Sequence, residues 1–222
     1  MRWKMPALLL IFTISGCVSL PPLSEHKSRH RVPLRGSFTP ESVQQVDALL
    51  DVLPQRMVEA INSISINDDE HHYWSANHTG HCHWPSRHIC IKSGKIEGSL
   101  WHETAHAYAY YLDDIGSNFY DDWRHAAGNV YGKHSPAHFP SAGLLSKYGA
   151  TNYDEDISVF VEEFYCAITG RGTFFATVAM QSRAAKRPPD ARFQKKVDLL
   201  LKYGFISKEH YEKFKQLKML DP

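Results

Sequence analysis

The chain has no excess of either charge: 25 lysines and arginines stand against 24 aspartates and glutamates. No dense basic stripe runs along it, which argues against a nucleic-acid-binding protein. Long apolar runs are missing as well. Residues 7–14 form an apolar stretch too short to cross a bilayer as a helix, which needs about 20 residues. Cysteine is scarce, confined to Cys17, Cys82, Cys90 and Cys166. What the chain has in quantity is histidine, 14 in all, and aromatic side chains. Histidine enrichment leans toward metal or proton chemistry. At 222 residues the chain can build one domain with a full core.

The N-terminus sets the compartment. Arg2 and Lys4 precede the short apolar run, and Ile14-Ser15-Gly16-Cys17 follows it. Small residues leading into a cysteine here resemble the lipobox of a bacterial lipoprotein signal. That resemblance implies a signal peptide over 1–16, cleavage before Cys17 and lipid on Cys17. The domain would then be anchored to a membrane of the bacterial cell envelope without spanning it. Val18 in place of an acidic residue resembles lipoproteins sent to the outer membrane, facing the periplasm or the surface, when the host has two membranes. Residues 17–38 carry Pro21, Pro22, Pro33 and Gly36 among Lys27, Arg29, Arg31 and Arg35, and read as a tether. That leaves 39–222 as the folded domain. Outside the cytoplasm a disulfide is permitted. Cys82 and Cys90 are close enough to close a small loop and are expected to pair. A second zinc held by them among nearby histidines is the weaker alternative, since no regular ligand spacing appears. Cys166, in an apolar helical stretch, reads as a buried thiol.

Local patterns then give the elements. Thr39-Pro40-Glu41 is a helix start, and Val43, Val46, Leu49, Leu50 and Leu53 follow at helical spacing. A second helical piece carries Met57, Val58 and Ile61 after Pro54. Ile64-Ser65-Ile66 alternates like a strand, as does Ile89-Cys90-Ile91 before Gly94. Between them, 68–85 is a polar, histidine-rich loop with room for one hairpin, of a length that often marks function. A helix over about 97–112 comes next, then loop-rich sequence with some helix at 120–127. Asn152 caps a helix burying Ile157, Phe160, Val161, Phe164 and Ile168. Two or three amphipathic helices fill the tail.

The helix over 97–112 contains His102-Glu103-Thr104-Ala105-His106, the pattern H-E-x-x-H. Residues four apart lie one turn above each other on one helix face, so two imidazoles can share one tetrahedral Zn²⁺ with Glu103 beside them as general base. By composition alone the pattern arises about four times in a hundred shuffled chains, so context must decide. A catalytic zinc needs a third protein ligand and an open position for water. The extended motif with glycine three and histidine six residues after the second histidine is excluded, because Ala109 and Leu112 stand there. A glutamate 20–30 residues downstream is excluded too, because none occurs between Glu103 and Glu155.

The segment Tyr148-Gly149-x-Thr151-Asn152-x-x-Glu155-Asp156 closely resembles a pattern in the catalytic domain of anthrax lethal factor and the related small pro-pro endopeptidases. These carry H-E-x-x-H, then a tyrosine seven residues ahead of the ligating glutamate. The resemblance covers two blocks, about 87–112 and 146–166. It implies that His102, His106 and Glu155 bind zinc, Glu103 is the base, and Tyr148 polarises the substrate carbonyl. It also implies an α+β, zincin-like fold, mostly helical, whose small mixed sheet lays an edge strand over the active-site helix. One departure stands: Val159 occupies the position, four after the ligand, where such proteins commonly have a second acid, and Glu162 lies about two turns beyond Glu155. Asn152 and Glu155 also have capping-box spacing, which needs no metal. The expectation is a membrane-anchored zinc metalloendopeptidase acting on peptides or proteins through a zinc-activated water. The competing expectation is a non-catalytic lipoprotein using a degenerate zincin domain or its histidine-rich loop to bind metal or a partner.

Overall fold

The computed structural model describes residues 22–67 and 79–221. Cys17 and the stretch read as a lipoprotein signal, and His71, His72 and His78 of the histidine-rich loop, lie outside them. Among the described residues no helix is long and apolar enough to cross a membrane.

The elements run β1 (Leu34–Gly36), α1 (Pro40–Leu50), α2 (Gln55–Glu59), β2 (Ser63–Asn67), β3 (Gly80–His83), β4 (His88–Lys92), α3 (Ile96–Asp114) and α4 (Phe119–Ala127). A 3-10 turn at Gly132–His134 precedes α5 (Tyr153–Ile168), α6 (Phe174–Ala185), α7 (Ala191–Tyr203) and α8 (Lys208–Gln216). The class is α+β with a small mixed sheet, as the sequence suggests. Thr39 caps α1 in a reciprocal box with Ser42. The tail resolves into three helices.

Among the described residues the sheet order is β1-β2-β4-β3, with β1, β2 and β4 parallel and β3 antiparallel at the edge. The stretch read as a tether is therefore partly domain. Leu34–Gly36 pairs with β2, and Val32, Leu34 and Phe38 are buried in the main core. Proline and basic residues suggested a spacer, but three strand residues need only one sheet edge to lie along.

Period-two alternation divides the sheet. Ile64, Ile66, Cys82, Ile89 and Ile91 join the core on one face. Ser63, Ser65, His88 and Cys90 alternate with them on the other. His88 sits between two hydroxyls, Nδ1 at 2.6 Å from Ser63 Oγ and Nε2 at 3.0 Å from Ser65 Oγ. Burial, with a smaller contribution from His83, pushes its pKa down to about 4, so the ring is neutral. The same alternation rules out the expected Cys82–Cys90 disulfide. Cys82 pairs across the ladder with Ile89 and Cys90 with His81, so their side chains leave opposite faces, and both thiols are free. Nor can they share a metal ion.

Helix α5 packs on α3, where Tyr165 meets Trp101 with ring centroids 5.6 Å apart. It turns Ile157, Phe160, Val161, Phe164 and Ile168, all 3% exposed or less, into the core, Phe160 against Trp123 of α4 and Phe164 against Phe214 of α8. Burying each such side chain is worth roughly 1.5–3 kcal/mol before chain entropy is counted. That contact fixes the two helices that meet at the site.

Candidate metal centre

Helix α3 is buried continuously from Ser99 to Ala109, so its polar residues need partners inside the protein. His102 and His106 lie one turn apart, with ring centroids 5.0 Å apart. Their partner comes from α5. Glu155 Oε2 lies 3.1 Å from His102 Nε2 and 3.5 Å from His106 Nε2. Four corners of a tetrahedron with bonds of 2.0–2.1 Å are separated by about 3.3 Å, so the three atoms suit one cation. His102, His106 and Glu155 are the one group among the described residues whose donor atoms could together hold a metal ion.

The capping-box reading of Glu155 can be decided. Asn152 Oδ1 accepts the Glu155 backbone N–H at 2.9 Å, but the Glu155 carboxylate does not close the box, turning instead to the two imidazoles. The cap anchors the turn and frees the side chain. Burial opposes a charged Glu155, but the two histidines outweigh it and hold the carboxyl well below its usual range.

Glu162 lies seven residues, about two helical turns, past Glu155 and faces the same histidine from behind. Its Oε2 is 3.2 Å from His102 Nδ1. This carboxylate orients the imidazole and raises its basicity, the outer-shell role usual for a ligating histidine. Burial disfavours a charged His102, yet Glu155 and Glu162, with Glu103 nearby, together raise its pKa to about 10. A proton and a cation compete for the same Nε2 lone pair, so a metal held by His102 would displace that proton.

Glu103 is 6% exposed and lines a cleft of about 330 Å³ together with His106, Tyr148, Glu155 and Gly80. Burial raises its carboxyl pKa, partly offset by the two histidines. The edge strand β3 passes directly over it. A Cβ on Gly80 would come within 2.6 Å of Glu103 Oε1, so a side chain there would push the Glu103 carboxylate out of its place. Cys82 also lines the cleft, but burial, reinforced by Glu103, pushes its thiol well above the ordinary value, so it stays protonated and is no nucleophile. Tyr148 stands at the mouth, 48% exposed, its ring 5.7 Å from that of His102. Burial and the adjacent Glu155 carboxylate raise its phenol, which remains a hydrogen-bond donor at neutral pH.

Two further residues, to which the motifs assign no role, support the arrangement. Asp156 follows Glu155 and is 1% exposed. Its Oδ2 accepts from Trp123 Nε1 at 2.9 Å, Tyr131 OH at 2.7 Å and Lys196 Nζ at 2.6 Å. Lys196, fully buried, also donates to the Gly143 carbonyl at 2.6 Å. This hub ties α4, the segment before Tyr148, and α7 to the turn that carries Glu155. The sequence holds a faint signal: Lys196 occupies the inward stripe of α7 with Phe193, Val197 and Leu200.

No protein-family model, curated protein or solved structure matches the chain.

Proposed function

We propose that the protein is a zinc-dependent endopeptidase with a zincin-like active site, carried on a lipid anchor in a bacterial envelope. One observation supports this reading most. The carboxylate of Glu155 converges on the two histidines of H-E-x-x-H, which leaves Glu103 and Tyr148 on the open side of the same cleft. A metal-storage protein needs neither of those two residues. The histidine and carboxylate donor set, with a neighbouring acid and no thiolate, suits zinc.

Bound zinc would supply Lewis-acid chemistry, bringing the pKa of water toward ~7 and polarising a carbonyl. Each protein residue has its own task. Glu103 accepts the proton of the attacking water and returns it to the leaving amine. Tyr148 donates a hydrogen bond to the oxygen of the scissile carbonyl as negative charge develops there, a contact typically worth ~3 kcal/mol. Glu162 holds the His102 ring in place. The edge strand β3, over Glu103, offers its backbone to an extended peptide, which binds by strand addition.

The test is hydrolysis of a peptide library by the chain from Val18 onward. Cleavage is expected, abolished by a zinc chelator and restored by added zinc. Cleavage indifferent to chelator would refute the metal mechanism. Absence of cleavage, with several weakly held ions insensitive to His102→Ala, would favour the scavenging alternative.

A further inference from the structure

A second cavity, about 280 Å³, adjoins the catalytic cleft and shares Tyr110 and Asp154 with it. Tyr110 is one helical turn beyond His106, the two rings stacked with centroids 6.0 Å apart. The walls of this cavity are aromatic, formed by Trp84, Tyr110, Tyr120 and Tyr153. Trp84 is 63% exposed, an unusual position for an indole unless it meets a partner. Resting on the peptidase reading above, we propose that this cavity is a specificity subsite for a lysine or arginine side chain of the substrate.

Charge supports a cation here. The carboxylates are Asp113, Asp121 and Asp154, and the single lining cation is Arg124. Arg124 is already engaged, 3.2 Å from Asp121 and stacked 4.2 Å from the Tyr153 ring centroid. Three carboxylates against one guanidinium leave the cavity net negative, with Asp113 and half-buried Asp154, which accepts a hydrogen bond from Tyr120, as its remaining acids. The tyrosine walls present π faces to the cavity. Such a cavity suits a long side chain with an apolar stem and a cationic head.

Position supports a substrate residue as the occupant. Strand β3 begins at Gly80, over Glu103, and Trp84 follows its last residue. A peptide laid along β3 therefore passes from the catalytic residues to this cavity. One helical turn is about 5.4 Å and one extended residue about 3.3 Å, which puts the subsite one or two residues from the scissile bond.

The experiment compares peptides carrying lysine, arginine, norleucine or glutamate at each of the two positions on either side of the cleaved bond, using the zinc-loaded full chain. At one position lysine or arginine should exceed norleucine by about tenfold or more in kcat/KM. Asp154→Asn should bring that ratio to within about twofold of one, and Trp84→Ala, at an exposed position, should lower it independently. Cleavage without charge preference, or preference for glutamate through Arg124, overturns the subsite while leaving the peptidase reading intact. Calorimetry on Glu103→Gln separates the two. Tighter binding of the lysine peptide than the norleucine peptide, with no cleavage by the unmodified chain, keeps the subsite and sinks the peptidase; equal binding sinks the subsite.

Discussion

Glu103→Gln should lower kcat for peptide hydrolysis by about 10²–10⁴-fold while one zinc stays bound. The three residues whose donor atoms could hold the ion are His102, His106 and Glu155, and none of them changes. Glutamine has the shape of glutamate, so the close approach of Gly80 over this side chain is undisturbed. What is lost is the proton acceptor. An amide cannot take a proton from water and pass it to the leaving amine, whereas a buried carboxylate beside two histidines can. Single-turnover rates and metal analysis on one preparation check both halves. Retained hydrolysis would remove Glu103 from the mechanism, and lost zinc would mean that the residue acts structurally.

The second large effect concerns stability. Lys196→Met should destabilise the fold by roughly 3–5 kcal/mol, because it leaves Asp156 charged and uncompensated in the interior. Lys196 and Asp156 are 0% and 1% exposed at the side chain, so water cannot replace the lost partner. Asp156 Oδ1 already has no hydrogen-bond partner, which leaves little slack. The loss is a large part of a typical domain stability of about 5–15 kcal/mol. Asp156→Asn combined with Lys196→Met should recover part of it, since the amide oxygen still accepts from Trp123 and Tyr131 without a buried charge. Urea unfolding of the three variants measures this. A Lys196→Met protein as stable as the parent would show that the pair is not needed to hold the Glu155 turn.

Much of this was legible in the sequence because the signals were local. Thr39-Pro40-Glu41, the alternation at Ile64–Ile66 and Ile89–Ile91, and the cap at Asn152 each specify their own element. They reappear as α1, β2, β4 and α5. The pairing of His102 and His106 needs only one helix. Glu155 was harder. Spacing suggested both a ligand and a capping box, and only the packing of α5 on α3 shows which way the carboxylate turns. The sequence misleads where strand register or a partner distant in sequence decides. The Cys82–Cys90 pairing looked reasonable along the chain, but strand register sends the two thiols to opposite faces. Residues 34–36 have the composition of a spacer and become a strand because β2 offers them an edge. Gly80 gives no hint on its own, since its necessity is created by Glu103 across the interface of strand and helix. Glu162 and Lys196 are further cases, charged residues on otherwise inward faces whose partners come from other helices.

The central claim is that Glu155 completes a metal site with His102 and His106, and equilibrium zinc titration of the parent chain and Glu155→Gln tests it most directly. The parent should bind one zinc tightly. The variant should bind it at least about 10²-fold more weakly, since even outer-shell changes cost about 10–100-fold. Equal zinc affinity in the two proteins, or several weak ions indifferent to the substitution, would contradict the site described here.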